Sequence, residues 1–194
     1  MDTVSTNYLD SVRKLFRYYK SLGDKALARV TADELLHWQS NDVSNSIAIV
    51  VKHLAGNMRS RWTDFLHSDG EKPWRDREGE VTDTYISRAE LMADWEAGWA
   101  CLFGAIDSLD PAQTLQVIYI RNEGHTVIEA INRQLAHVPY HVGQIVYLAR
   151  LLTGDSWVSL SIPRGGSQAY NQQRFDQDQQ RRFFTDSMND IPRP

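Results

Sequence analysis

LAHVPYHVGQIVYLARLL, residues 135–152, decides how the rest of the chain is read. Its apolar residues return at helical spacing: Leu135, Val138, Val142, Ile145, Ala149 and Leu152 fall on one side, as an amphipathic helix against a core requires. Two features interrupt that pattern. His137 and His141 stand four residues apart, so on a helix both imidazoles leave the same face. Pro139 lies between them, has no N–H to donate and crowds the Leu135 carbonyl, at a local cost of about 3 kcal/mol. Either the helix continues with a kink, or it starts at the proline and leaves His137 on the preceding turn. The apolar stripe from Val127 to Leu152 keeps its phase across Pro139, which favours the kinked, continuous helix.

Around this stretch, Thr126 and Glu129 have the spacing of a capping box and Gly154 follows the last apolar position. They frame a helix about 40 Å long at the usual rise per residue. Just upstream, TLQVIYI (114–120) is the one strand-like run, and a short strand or hairpin is expected there. A third helix opens at Ser87 and Glu90, carries Leu91, Trp95, Trp99, Leu102 and Ile106, and stops before Asp110-Pro111. A second, from about Ser44 to Leu66, presents Ile47, Val50, Val51, Leu54, Met58, Trp62 and Phe65. The first runs from about Thr6 to Leu22, with Gly23 as its stop, and Thr31 with Glu34 suggests a capped short helix after it. Residues 67–86, rich in Gly, Asp and charge, read as a long surface loop. The expectation is an all-α chain: a four-helix bundle in one domain over residues 1–170, followed by a polar C-terminal tail at 171–194.

Composition narrows the function. Apolar residues make up 42% and charged residues 24% of 194, as in a globular protein with a sizeable core. A net charge of −4 provides no basic field for nucleic acid. Cys101 is the sole cysteine, the N-terminal residues lack a secretory signal, and the longest strongly apolar run stops at Lys52. A cytoplasmic protein that neither spans a membrane nor binds nucleic acid is expected.

Of six histidines, only His137 and His141 have ligand spacing on an expected helix. His53 flanks the Val50, Leu54, Met58 stripe of the second helix, and bundle metal sites form where such flanks meet. Three neutral imidazoles would leave an ion such as Zn²⁺ one open position; Ni, Fe or Cu also accept imidazole. The competing reading makes these histidines hydrogen-bonded trim. Asn57 and Gln144 are candidates to orient imidazoles. Trp74 and Arg75 form either a lid or ordinary packing, with packing favoured, and Cys101 is expected to be inert core. No nucleophile elbow and no Gly-rich phosphate loop is present.

The segments NSIAIVVKHLAGNMRSRWTDFL, DGEKPWRDREGE and HTVIEAINRQLAHVPYHVGQIVYLAR resemble the DinB-like, YfiT-like metalloenzyme superfamily, closest to an uncharacterised bacterial branch. The similarity covers about residues 5–170, and HVGQIVYLAR is its most specific part. It implies a four-helix bundle and a divalent metal on three histidines, which by motif are His53, His137 and His141. It also implies a small-molecule substrate, a homodimer, and a metal (Zn first, with Ni, Fe or Mn as alternatives). Some relatives are transferases or isomerases that use a low-molecular-weight thiol. Pro139 within HVPYH departs from a regular ligand helix, and no residue marks a thiol pocket. The alternative function is a non-catalytic, stress-associated binding protein whose metal is structural or absent.

Overall fold

The computed structural model describes residues 4–186 and is mostly helical. Four long helices dominate: α1 (Val4–Arg29), α2 (Ile47–Trp62), α4 (Arg88–Asp107) and α5 (Val127–Thr153). Two shorter ones, α3 (Arg77–Glu80) and α6 (Ser167–Phe175), lie in the connection before α4 and after α5. α2 packs along α4, α1 packs along α5, and α2 also meets α5. α2 is buried on almost every side, which fits its near-continuous apolar run from Ile47 to Val51. Among the described residues, no helix is long and apolar enough to cross a membrane.

Caps and close approaches explain where the helices sit. Ser46 caps α2 by accepting from Ile49 N–H at 3.1 Å. Thr126 and Glu129 form the expected capping box at the start of α5: Thr126 accepts from Glu129 N–H, and Glu129 accepts from Thr126 N–H at 2.7 Å. Ser87 caps α4, but Glu90 reaches back to Ile86 N–H. Gly98 on α4 faces α2 so closely that a Cβ there would lie 2.7 Å from the Ala55 Cα. The core joins Leu9, Val12 and Phe16 of α1 to Leu54 and Met58 of α2, Trp95 and Trp99 of α4, and Ile131, Val138 and Ile145 of α5.

The strand-like run forms a hairpin. β1 (Val117–Ile120) pairs antiparallel with β2 (Glu123–Thr126), Ile118 opposite His125. Its two turn residues, Arg121 (φ 57°) and Asn122 (φ 60°), are both left-handed, as the favoured two-residue hairpin turn requires. The Asp69 carboxylate accepts from both of their N–H groups at 2.8 Å, which holds this uncommon backbone in place.

Several expectations change. Gly23 does not end α1. It faces the Trp95 ring, where a Cβ would sit 2.6 Å from Cζ2, so tight packing and not chain reversal explains the glycine. Thr31 and Glu34 form no cap; the turn that follows is a 3-10 helix at Asp33–His37 preceded by Ala32. Residues 67–86 are not simply surface loop. Gly70, Lys72 and Glu80 are buried, and the Arg75 side chain is 1% exposed. In the expected tail, Phe184 packs edge-on against Tyr18 of α1. Residues 187–194 of that tail lie outside the described residues.

Candidate metal centre

α5 runs unbroken through Pro139, so His137 and His141 do share one helical face. α2 brings His53 opposite them. One ligand atom from each of the three lies within 4.8 Å of the others. The ring centroids form a compact triangle: 5.2 Å for His53–His137, 4.8 Å for His53–His141 and 4.6 Å for His137–His141. All three expected site residues therefore meet, each partly buried.

The outer nitrogens are oriented from behind. His53 Nδ1 faces Glu80 Oε2 at 3.3 Å, and His141 Nδ1 faces Gln144 Oε1 at 3.1 Å. An imidazole that donates from Nδ1 carries its lone pair on Nε2, so both partners select the tautomer that can coordinate. His53 Nε2 lies 3.1 Å from His137 Nε2. At that separation two lone pairs repel unless a proton or a cation stands between them. Gln144 thus acts as the sequence suggested. Asn57 does not: it accepts from Gln134 Nε2 at 3.2 Å and, among the described residues, has no bond to a histidine.

The donor set suits a divalent cation. Burial, then repulsion from His141 and His53, pushes His137 down to about 3, and burial lowers His141 too. Near neutral pH these rings are therefore neutral, the form that binds metal. The buried Nδ1 of His137 has no hydrogen-bond partner among the described residues, so this ring is held by its packing and by the contact at Nε2. The cluster can hold a metal ion; nothing in its chemistry selects which one.

Glu80 is absent from the sequence-based site, where Arg75 enters only as lid or packing. Arg75 grips Glu80 through two 2.8 Å bonds, Nε to Oε1 and Nη2 to Oε2. Burial would raise the Glu80 carboxyl, but Arg75 and His53 together outweigh it and hold it below the usual range. Gly56 on α2 makes room for this carboxylate: a Cβ there would lie 2.3 Å from Glu80 Oε1. Arg75 is thus packing that positions the site. Trp74 beside it is 57% exposed and lines a separate groove with Arg75, Asp76 and Glu80. In a run as dense in charge as DGEKPWRDREGE, no spacing distinguishes the carboxylate that turns toward His53.

A cleft of about 180 Å³ opens beside the triad, lined by His53, His137, Trp62, Ile118, Ile120 and Gln134, together with Arg61, Arg77, Arg121 and Arg133. Behind it, Glu71 pairs with Arg77 and lies within 4 Å of Arg61, Arg75 and Arg121. Arg77 above all, then Arg75 and Arg61, hold Glu71 down to about 2 despite partial burial. Burial, then Arg75 and Arg133, push Arg61 down to about 10.

The remaining histidines stand apart. His37 Nδ1 meets Asp83 at 2.8 Å, His67 is exposed past the end of α2, and His125 sits on β2. Cys101 is half-buried, its Sγ 3.4 Å from the Thr63 hydroxyl. Comparison with curated proteins finds no match. Residues 3–166 match the model of a family described as protein of unknown function (DUF1572), a description that names no activity. With most of its length matched, the chain belongs to the DUF1572 family.

Proposed function

We propose that His53, His137 and His141 hold a divalent metal, zinc first among the candidates, in a DinB-like four-helix bundle that acts as a metal-dependent small-molecule enzyme of the thiol-transferase type. The observation that carries the reading is the convergence of three imidazoles from two helices, two of them oriented from behind by Glu80 and Gln144. When bound, such an ion would act as a Lewis acid and lower the pKa of a thiol. The chain's own part is to present His137 and His141 in neutral form, to fix the tautomers of His53 and His141, and to offer the cleft beside them as a substrate cavity. The proposal includes a cytoplasmic homodimer. Tyr140, Tyr147 and Leu151, all more than half exposed on one side of α5, support a partner face.

Metal content by mass spectrometry tests the centre. Full-length protein prepared without chelator should carry about one divalent ion per chain, and His53→Ala and His141→Ala should lose it. No ion in the wild type after reconstitution with Zn, Ni, Fe and Mn would defeat the metal reading and favour a non-catalytic binding protein. If metal is present, turnover of electrophiles with a low-molecular-weight thiol, abolished by chelation, is the outcome expected of the enzyme.

A further inference from the structure

The wall of the cleft beside the triad carries more positive charge than the fold consumes. Four guanidinium groups line it, Arg61, Arg77, Arg121 and Arg133, with Arg75 behind them, against two carboxylates, Glu71 and Glu80. Three of the five have structural work: Arg75 is committed to Glu80, Arg61 Nη1 donates to the Gly70 carbonyl at 2.9 Å, and Arg77 forks onto Glu71. Arg77 from α3, Arg121 from the hairpin tip and Arg133 from α5 face the cleft from three different elements. Arg133 forms no ion pair among the described residues.

An array of like charges is costly to assemble unless something offsets it. Glu71 offsets part of it and shows that the guanidinium groups converge where one carboxylate can serve several of them. Arg77 meets it with two parallel N–H groups, the fork geometry that also fits free carboxylates and phosphates. Asp69 contributes indirectly. By accepting both N–H groups of the hairpin turn, it holds Arg121 at the rim of the cleft.

We propose that the cleft binds the oxyanion group, carboxylate or phosphate, of a small-molecule substrate or co-substrate on Arg133 and Arg121, beside the Arg77–Glu71 pair, with the rest of that molecule extending toward His53 and His137. The assignment of the substrate class rests on the metal-centre reading; the anion site itself does not. Ile118, Ile120 and Trp62 give the same cleft an apolar wall, so the ligand combines an anionic group with an apolar body.

Isothermal titration of the full chain with succinate, inorganic phosphate and uncharged succinamide tests this, on metal-stripped protein and on His141→Ala, whose altered residue does not line the cleft. The expected result is that at least one anion binds both proteins while succinamide does not, and that Arg133→Gln weakens it roughly tenfold, as loss of one charged hydrogen bond does. Arg121→Gln, on a different element, should weaken it similarly, so the outcome does not hang on one variant's folding. Phosphate tighter than succinate would identify a phosphorylated ligand, the reverse a carboxylic acid. Equal affinity for succinate and succinamide, no anion binding at millimolar concentration, or unchanged anion affinity in both arginine variants would each overturn the proposal. Because these arms contain no metal, they are separate from the test of the metal centre: bound metal without anion binding defeats only this inference, and anion binding without metal defeats only the other.

Discussion

Glu80 and His53 are joined across two elements: Glu80 Oε2 lies 3.3 Å from His53 Nδ1 while the same carboxylate is gripped by Arg75. Both partners of Glu80 are largely buried, so the contact connects the fold of the α2–α4 connection directly to the orientation of a ligand imidazole.

Replacement of Glu80 separates these two roles. Glu80→Gln keeps the shape and should lower metal affinity at the proposed centre by about 10–100-fold, the usual effect of losing an orienting carboxylate. Glu80→Ala should also cost about 3–5 kcal/mol of stability, because it strands the Arg75 charge in the interior. Competition against a chromogenic chelator reads the first effect and urea unfolding the second. Unchanged affinity in both variants would mean that His53 keeps its orientation without Glu80.

Gly56→Ala should reproduce the affinity loss from the other side. The new methyl would occupy the space of Glu80 Oε1, and the carboxylate must swing away, at about 1–3 kcal/mol of overpacking. The same pair of measurements applies. Wild-type metal affinity here would show that Glu80 can yield without disturbing His53.

Gly98→Ala provides the contrast. Its methyl would meet the α2 backbone at Ala55, which cannot rotate aside, so α2 and α4 must move apart. A stability loss of at least the same size, about 1–3 kcal/mol, is expected. Glu80 is not involved, so the balance between the two glycine variants, read by thermal melts and metal titration, separates helix packing from ligand orientation.

Acid should weaken the metal-free protein early. His137 is pushed down to about 3 and His141 is lowered, so the unfolded chain takes up protons near pH 6.5 that the folded chain refuses. Stability is therefore fully present above pH 6.5 and falls as pH drops toward 3. Glu71, Glu80 and Asp69, all held low, add losses in the same direction, but only below the ordinary carboxylate range. Urea unfolding between pH 6.5 and 5 isolates the histidines, and His137→Phe should reduce the slope by up to about one proton. An identical slope in that variant would show that His137 titrates normally.

How much of this was legible from residue spacing depends on the range of the interactions. The α5 capping box, the hairpin at 117–126 and the helical phase through Pro139 are local, and each follows from residues within a turn or two of one another. The end of α1 is not local: Gly23 looks like a helix stop until the Trp95 ring it faces, far along the chain, is known.

The sequence by itself determined the helical pattern, the flank on which His137 and His141 stand, and His53 as their candidate third partner, since those depend on periodicity and motif. Only the tertiary structure decided that the three imidazoles meet, that Glu80 rather than Asn57 stands behind His53, and that four arginines line the cleft. The physical reason is that a charged loop residue has the same local pattern whether it faces water or turns inward. Its direction is set by the non-local balance of desolvation against buried ion pairs, and that balance exists only once α2, the loop and α5 are packed together.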